Sequence, residues 1–509
     1  MKNKALLIIL DGYGEGKDYK YNAVTRAKTP YIDSLRKKYP QTLLKTDSEA
    51  VGLPPKTMGG SEVGHFTMGA GRIVWQSLEE INRSIKKGAF YKLPALKEAA
   101  RLCKKNDTPF HLIGMISDQG VHSHLDHLYA LLKFAKKNKL KKIYIHAITD
   151  GRDVKEQSAQ KFIKRIQKWI KELGLEDQAK IATIIGRFYA MDRDTNWKRT
   201  RKAYDLLTKG KGHIETSPLK AITNEYKRGT KTDYYLEPMI LDKKGLIKAA
   251  DSVVFFNYRT DRSAQLADAL VNKKFAHFPT PVKSRLVCFG PYTKKAPVLF
   301  KAPEVKKNLS EVLSRNNRTQ LRIAETEKYA HITFFFNSQI KKPFKGEKQL
   351  LIPSPKVPSY ADQPEMSALK VKDTLIAELK KNSDKSAYDF IALNFANPDL
   401  VGHSGSFVAV KKSLETLDKC LREIIPLALE KGYTIMLTAD HGNSEYMRYP
   451  DGSGCPAHTL NPVPFVLISE KHKHLNKNIK KPGLRNIAPT ILKILKIRKP
   501  FVMKGKSLI

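Results

Sequence analysis

Thiols and long apolar runs are scarce in this sequence. Its 509 residues include only four cysteines, which lie far apart and form no C-x-x-C pair. This spacing excludes a disulfide framework and a thiolate zinc site, and it favours a reducing compartment such as the cytoplasm. The apolar run at residues 5–10 is too short for a signal peptide. No segment approaches the roughly 20 consecutive apolar residues that span a bilayer. We expect a soluble, cytoplasmic protein with no membrane partner.

Acidic residues are also scarce relative to basic ones. Lys and Arg total 92 against 50 Asp and Glu, which gives a net charge of +42. A total of this sign is typical of nucleic-acid binders. The basic residues, however, are spread along the chain and are not interleaved with aromatics as a single-strand groove requires. We therefore expect a solvated lysine-rich surface, no specific nucleic-acid partner, and a monomer, because like charge opposes self-association.

The order of apolar and polar segments indicates an α/β fold. The chain is too long for one hydrophobic core, and its 41% of hydrophobic residues is enough for two. Short apolar runs end in polar, glycine-containing loops and alternate with amphipathic lysine-rich segments, which is typical of parallel sheets. The predicted strands are residues 5–10, 111–117, 142–148, 181–185, 252–257, 390–395 and 434–438.

Two kinds of side chain follow these strands. Acids and histidines follow the first strand and the last two, whereas the four middle strands are followed by His122, by Arg152 with Asp153, by Arg187 with Arg193, and by Arg259 with Arg262. Because ligands of open α/β sheets bind beyond the carboxyl ends of the strands, the chain ends should bind cations and the middle should bind anions. We predict one α/β domain built from residues 1–75 and 304–509, with a second α/β domain, residues 76–303, inserted through linkers near 72–78 and 290–303.

The cation-binding residues form a candidate metal site. Asp399 and His403 are four residues apart and would share one helix face, although such a pair alone is more often a solvated surface. Seven candidate ligands bear oxygen or imidazole: Asp11, Ser61, Asp399, His403, Asp440, His441 and His458. Seven exceed what one ion needs, so we expect two ions. Such ligands suit Mn²⁺, with Mg²⁺, Zn²⁺ and Co²⁺ as alternatives.

Ser61 is the candidate nucleophile. It follows Gly59 and Gly60, which allow close approach of a ligand to the backbone, and a helix beginning here would point free N–H groups at a phosphate. Metal coordination would lower the pKa of its hydroxyl, and paired ions commonly clamp the oxygens of a phosphoryl transfer. The alternative is that Ser61 is only a helix N-cap.

These segments resemble the cofactor-independent phosphoglycerate mutases of the alkaline-phosphatase superfamily. The resemblance covers essentially the whole chain. It rests on the residue stretches 11–14, 59–64, 117–124, 149–153, 186–193, 257–262, 325–331 and 363–367, and on the three metal loops.

The resemblance implies a metal set and a substrate set. One Mn²⁺ would bind Asp399, His403 and His458, the other would bind Asp11, Ser61, Asp440 and His441, and no 2,3-bisphosphoglycerate would be required. The implied substrate-binding residues are His122, Arg152, Asp153, Arg187, Arg193, Arg259, Arg262 and Lys328.

The resemblance also implies a reaction. Ser61 would take the phosphoryl group of 3-phosphoglycerate, and the 2-hydroxyl of the retained glycerate would recover it, as an isomerase of glycolysis and gluconeogenesis does. Arginine forks suit the carboxylate and phosphate of this small-molecule substrate. Asp153 would be the acid/base, unless it merely pairs with Arg152, and Lys328 would offset phosphoryl charge.

Two other functions stay open from the sequence. The same metal site, if open to water, would make the protein a phosphatase or phosphodiesterase of that superfamily, although a hydrolase has no need to hold the leaving alcohol. The net charge alone leaves a nucleic-acid-binding protein as the third hypothesis.

Overall fold

The chain folds into two compact units. The structure, a computed structural model, describes residues 3–301, 304–381 and 388–509. One unit comprises Met1–Trp75 and Pro303–Ile509, and the other comprises Gln76–Ala302. The first unit is thus assembled from both chain ends, and the second is continuous in sequence. The end of the second predicted linker, residues 302 and 303, lies outside the described residues.

The described residues form two seven-stranded sheets. Numbered in chain order, their strands are β1 Lys4–Leu10, β2 Gln41–Leu44, β3 Phe110–Met115, β4 Ile143–Thr149, β5 Ala179–Gly186, β6 His213–Ile214, β7 Met239–Ile240, β8 Ser252–Phe255, β9 Arg285–Cys288, β10 Gln320–Glu325, β11 Glu347–Ile352, β12 Phe390–Phe395, β13 Tyr433–Thr438 and β14 Val463–Ile468.

Helices separate most of these strands, as parallel pairing requires. They are α1 Ala23–Arg26, α2 Pro30–Lys38, α3 Ser61–Ala70, α4 Ser77–Lys86, α5 Pro94–Asn106, α6 Leu125–Lys137, α7 Ala159–Glu172, α8 Arg187–Ala190, α9 Trp197–Lys209, α10 Pro218–Lys227, α11 Ala264–Val271, α12 Leu309–Arg315, α13 Thr326–Ala330, α14 Ala368–Lys381, α15 Asn397–Gly402, α16 Phe407–Glu430 and α17 Ile487–Ile494.

The first unit contains a mostly parallel sheet in the order β11-β10-β12-β1-β13-β14-β2. The central strand β1 runs parallel to both neighbours, with Leu7 opposite Ala392 of β12 and Met436 of β13. Only β14 reverses direction against β13, and β2 reverses again against β14. Residues 5–10 of β1 are buried throughout, because a central parallel strand is covered on both faces.

The second unit has its own sheet, in the order β6-β7-β5-β4-β3-β8-β9. Strands β5, β4, β3, β8 and β9 are parallel, so their carboxyl ends share one edge. The two-residue strand β7 pairs antiparallel with β5, and β6 extends it at the margin. Two apolar clusters fill the interior of this unit.

The predicted α/β class and all seven predicted strands are confirmed, with bounds that differ by at most two residues. Sequence analysis did not identify β10, because polar residues interrupt its pattern: Gln320 and Arg322 are both buried. It also missed β11, whose side chains are mostly part-exposed as expected at a sheet edge.

The four cysteines are buried and unpaired, as their spacing predicted. Within the described ranges, no helix combines the length and the apolarity that a membrane crossing demands.

Arg322 is a charged residue in the core of the first unit. It is fully buried on β10 and lies over the rings of Phe336 and Phe390, at 5.0 and 4.8 Å from their centroids. Its guanidinium donates to Ser310 Oγ and Gln320 Oε1, both at 2.8 Å. Burial lowers its pKa to about 10. Aromatic faces and neutral oxygens therefore stabilise the buried positive charge of Arg322.

Removal of Arg322 should destabilise the first unit. Arg322→Ala would leave a cavity and unpaired buried acceptors, which together should lower the free energy of unfolding by about 3–4 kcal/mol. Urea unfolding followed by circular dichroism measures the change. The matched control is Arg315→Ala, since Arg315 has a 68% exposed side chain paired with Glu311 and should contribute less than about 1 kcal/mol. Equal stabilities of the two variants would contradict the assignment.

Candidate metal centre and arginine cluster

The candidate metal ligands lie at one edge of the first sheet. Asp11 follows β1, Asp399 follows β12 in the first turn of α15, and Asp440 follows β13. Lys328 on α13 follows β10, the neighbour of β12, and His458 precedes β14, the neighbour of β13. Adjacent strand ends therefore bring together side chains that are hundreds of residues apart in sequence.

Ser61 joins this group from the amino end of α3. Gly60 occupies the N-cap position and Ser61 is the first helical residue, so the serine is not the cap. Ser61 Oγ donates to Asp11 Oδ1 at 3.1 Å and lies 3.0 Å from His441 Nε2. A Cβ at Gly59 would lie 2.0 Å from the backbone oxygen of Thr46, which explains a glycine there.

Lys328 lies at the centre of the buried charges. Its ammonium donates to Asp11 Oδ1 at 2.7 Å, to Asp399 Oδ2 at 2.6 Å and to Ser61 Oγ at 2.7 Å. Burial alone would lower the pKa of Lys328, but the two carboxylates raise it above its ordinary value. The side chain is therefore a fixed cation in contact with the candidate nucleophile.

His403 and His458 converge on Asp399. Their Nε2 atoms lie 3.3 and 3.1 Å from Asp399 Oδ1 and 3.3 Å from each other. Their Nδ1 atoms donate to the carbonyl oxygens of Pro456 and Gly59, at 2.7 and 2.9 Å. A ring held by Nδ1 presents the Nε2 lone pair to a ligand, which is how histidines bind metals.

His441 lies between Asp399 on one side and two further acids, Asp11 and Asp440, on the other. Its Nε2 atom is 3.4 Å from Asp11 Oδ1, 3.6 Å from Asp440 Oδ2 and 3.8 Å from Asp399 Oδ1. Burial would lower the pKa of His441, but Asp440 and its other acidic neighbours raise it to about 10. Burial would likewise raise the pKa of Asp11, but Lys328 and His441 hold it well below its usual range.

Two overlapping groups of side chains, which share His441 and do not include His403, could each hold a divalent cation. Asp399, His441 and His458 each offer one ligand atom, and these three atoms lie within 4.8 Å of one another. A second group, Asp11, Asp440 and His441, meets the same limit. The buried oxygens Asp399 Oδ1 and Asp440 Oδ2 accept no hydrogen bond from any described residue. Unpaired carboxylate oxygens and imidazole nitrogens, without thiolates, suit Mn²⁺, Mg²⁺, Zn²⁺ or Co²⁺.

An open pocket of about 460 Å³ gives access to this centre. Its wall includes Ser61, Lys328, Asp399, His403 and His458. The metal-binding atoms and the candidate nucleophile can thus be reached by a small ligand.

The second unit carries an arginine cluster at the carboxyl ends of its parallel strands. Arg187, the residue after β5, is buried and donates to Asp150 Oδ1 and Asp153 Oδ2, both at 2.6 Å. Its other terminal nitrogen donates to His122 Nε2 at 2.9 Å. Burial, followed by the charges of Arg187 and Arg259, lowers the pKa of His122 to about 4. His122 is therefore neutral near pH 7 and accepts this bond.

The arginine cluster also includes four residues that are more exposed than Arg187: Arg152, Arg193, Arg259 and Arg262. Arg193 and Arg259 each donate to Asp261 at 3.0 Å, with side chains about half exposed (46% and 49%). The pKa of Arg262 is lowered by burial and then by the positive charges of Arg193, Arg187 and Arg152. A bound anion would relieve mutual repulsion of this kind.

The structure corrects one alternative from the sequence. Asp153 was a candidate partner of Arg152, but its ion-pair partner is Arg187, which it shares with Asp150. Arg152 itself is exposed.

Sequence analysis did not identify three buried polar residues that contact the candidate site residues. Asp150 directly follows β4 and accepts a hydrogen bond from Arg187. Its position just after a strand was the signal that could have identified it. His65 lies one helical turn after Ser61, and its Nδ1 donates to the Ser61 carbonyl at 2.9 Å. Asn394 interrupts the apolar pattern of β12, and that interruption was the available signal.

Comparison with known proteins relates both parts of the chain to characterised families. Residues 81–294 match a model described as the BPG-independent PGAM N-terminus. Residues 301–452 match one described as type I phosphodiesterase / nucleotide pyrophosphatase.

Full-length relatives share one name. A 2,3-bisphosphoglycerate-independent phosphoglycerate mutase from Moorella thermoacetica is 46% identical over 99% of this chain and 98% of its own. A protein of that name from Clostridioides difficile is 45% identical over 100% and 99%. A crystal structure of Leishmania mexicana phosphoglycerate mutase at low cobalt concentration is 28% identical, covers 100% of this chain and 98% of its own, and has a TM-score of 0.63.

Glu325 is a buried acid at the carboxyl end of β10. It ends β10, three residues before Lys328, and only Ser354 Oγ, at 2.8 Å, donates to its Oε2 atom among the described side chains. Burial raises the pKa of Glu325 to about 7. The folded state therefore keeps a proton that the unfolded state releases near its ordinary pKa of about 4.3. Its contribution to stability is full below that value and is lost as the pH rises through 7.

Glu325→Gln should remove this dependence. Relative to the wild type, the free energy of unfolding of the variant should rise by about 2–3 kcal/mol between about pH 5 and pH 8, because Gln stays neutral. Urea unfolding at several pH values measures the difference. Glu430→Gln is the control, since Glu430 has a 69% exposed side chain. A difference for Glu325→Gln that is the same at every pH would refute the prediction.

Proposed function

The chain belongs to the 2,3-bisphosphoglycerate-independent phosphoglycerate mutases, and on that premise we propose that Ser61 carries the phosphoryl group in the reaction. The protein is an isomerase that interconverts 3-phosphoglycerate and 2-phosphoglycerate in glycolysis and gluconeogenesis. One observation carries the proposal for Ser61: its Oγ contacts Lys328 and lies among the two candidate metal-ligand groups.

In the first step the Ser61 hydroxyl loses its proton to solvent, and its Oγ atom forms a bond to phosphorus. The bond between phosphorus and the 3-oxygen of the substrate breaks, and that oxygen takes a proton. Divalent ions held by the two ligand groups would lower the pKa of the Ser61 hydroxyl and offset charge on the phosphoryl group. Lys328, 2.7 Å from Ser61 Oγ, stabilises the negative charge that develops at this oxygen.

The second step reverses the first at a different oxygen. The 2-hydroxyl of glycerate loses its proton, attacks the phosphorus and releases Ser61. Asp153 gives and takes these protons, which is supported by its fixed position: Arg187 donates to its Oδ2 at 2.6 Å. This arginine also binds Asp150, so the orientation of the acid/base is set by a buried network.

The arginine cluster retains glycerate between the two steps. Guanidinium groups bind carboxylate and phosphate through paired hydrogen bonds. Arg262, whose pKa is lowered by burial and by its arginine neighbours, is stabilised when an anion binds. A hydrolase, which releases its alcohol product, has no need of such a cluster.

The resident ion, the assembly state and the location complete the proposal. Mn²⁺ is the proposed ion, supported by the oxygen and imidazole ligands. The net charge of +42 supports a monomer. The scattered, unpaired cysteines support a cytoplasmic location.

Ser61→Ala should abolish mutase activity. Loss of the nucleophile should reduce kcat by about 10⁴-fold or more, because the remaining groups cannot form the covalent intermediate. A coupled assay with Mn²⁺ and without 2,3-bisphosphoglycerate measures it, and acid quenching with radiolabelled substrate should trap phosphoserine in the wild type. Ser413→Ala is the control, since Ser413 is buried in α16 and bonds only Val410 among the described residues.

Two outcomes would overturn this assignment. Mutase turnover by Ser61→Ala, or brisk wild-type isomerisation without any trapped serine ester, would exclude a phosphoserine route. Release of inorganic phosphate at the rate at which phosphoglycerate disappears would instead make the protein a hydrolase of the superfamily.

Asp153→Asn should impair both proton transfers. Removal of a general acid/base should lower kcat by about 10²–10⁴-fold, with a much smaller change in KM because the arginines remain. Steady-state kinetics over a range of pH measures both constants. Asp126→Asn is the control, because Asp126 is 52% exposed and pairs with surface Arg165. A change in KM alone would show that Asp153 binds substrate and transfers no proton.

A further inference from the structure

Two buried polar residues, Asn394 and His65, lie beside the second metal-ligand group, which consists of Asp11, Asp440 and His441. Asn394 lies in β12 and His65 in α3, and both are fully buried. Asn394 Nδ2 lies 2.8 Å from Asp11 Oδ2 and 3.0 Å from His65 Nε2. His65 Nδ1 lies 2.9 Å from the Ser61 carbonyl oxygen and 3.3 Å from Asp440 Oδ2. The pair therefore reaches Asp11, Ser61 and Asp440.

The direction of each hydrogen bond follows from the acceptors. Nδ1 of His65 faces two oxygens, a carbonyl and a carboxylate, so it carries the proton. Nε2 is then the acceptor and receives one hydrogen of the Asn394 amide, while the other hydrogen goes to Asp11 Oδ2. One arrangement of protons therefore satisfies both amide hydrogens of Asn394 and the N–H of His65.

This arrangement distinguishes the two carboxylate oxygens of Asp11. Its Oδ2 atom is occupied by Asn394, whereas Oδ1 faces Ser61 Oγ, Lys328 and His441. The Asp11 carboxyl is thus oriented with Oδ1 toward the ligand group. Without Asn394, no hydrogen bond to Oδ2 would restrain rotation of the Asp11 carboxylate about its terminal torsion, which is soft.

Asp440 is held by backbone groups on the side away from its unpaired oxygen. Its Oδ1 atom accepts from the backbone N–H groups of Gly12 and His441, at 3.3 and 3.1 Å. His65 Nδ1 approaches the other oxygen, Oδ2. The helix lies close here, since a Cβ at Gly64 would be 3.0 Å from Asp440 Cβ. The backbone of α3 next to position 65 therefore lies close to this carboxylate.

We propose that Asn394 and His65 are positioning residues that fix Asp11 and Asp440 for a divalent cation before it binds. The inference rests on the proposed metal site and adds residues that do not themselves bind the ion. A network of this kind lowers the cost of ordering the ligands, and its removal commonly weakens metal binding by about 10–100-fold.

Mn²⁺ binding to the full chain tests the proposal without reference to turnover. Isothermal titration and equilibrium dialysis with MnCl₂ should count two ions on the wild type. In Asn394→Ala and His65→Phe, one ion should bind about 10–100-fold more weakly and the other almost unchanged. The unchanged ion belongs to Asp399, His403 and His458, which neither residue contacts among the described side chains. The electron paramagnetic resonance spectrum should lose the signature of a coupled manganese pair.

Conservative and control variants separate positioning from general stability. His65→Asn places an amide N–H near the Nδ1 position, so it should recover part of the affinity that His65→Phe loses. Asn308→Ala is the matched control: Asn308 is a fully buried asparagine of the same unit that caps α12 and bonds Asn337. It should change thermal stability without changing Mn²⁺ affinity.

The outcomes distinguish this proposal from the one on which it rests. A wild type that binds no Mn²⁺ overturns the two-ion site itself. A wild type that binds two ions, with the same affinities in Asn394→Ala and His65→Phe, overturns the positioning role alone. Equal loss of affinity in Asn308→Ala, or no recovery in His65→Asn, would reduce the effect to general destabilisation and would also overturn it.

Discussion

The structure of the first unit depends on how three buried carboxylates are compensated. Asp11, Asp399 and Asp440 lie within one group of strand ends, and transfer of such ions out of water is costly unless opposite charges accompany them. Lys328 contacts only two of them, and His441 contributes further when protonated. Divalent cations compensate the same charge more completely. The same negative charge that is costly to bury thus makes the strand ends a binding site for metal ions.

The sheet topology makes this concentration of charge achievable. A parallel sheet collects the ends of β10, β12, β1 and β13 at one edge, so each ligand needs only to follow its own apolar strand. The second unit uses the same geometry with the opposite sign: His122, Arg187 and Arg259 follow β3, β5 and β8. Each edge holds an excess of one charge that a ligand must neutralise.

Much of this arrangement was predictable from sequence because both signals are local. The apolar runs reveal the strands, and the residues just after them reveal the chemistry, as with Asp399 and Arg187. What the sequence could not provide are contacts set by tertiary packing. Asn394 and Arg322 are polar residues within strands, and their partners come from other elements. Likewise, only the folded geometry identifies Arg187 as the partner of Asp153.

The proposed mechanism assigns a different task to each of the two charged edges. The metal-ligand groups, Lys328 and Ser61 suffice in principle to form and break a phosphate ester, and water could serve as acceptor at such a site. Isomerisation needs more, because glycerate must stay bound long enough to present a second hydroxyl. Retention of a small anion requires positive charge, and in the proposed mechanism Arg193, Arg259 and Arg262 would supply it, while Arg187 is neutralised by Asp150 and Asp153. In that mechanism the arginines would favour transfer over hydrolysis.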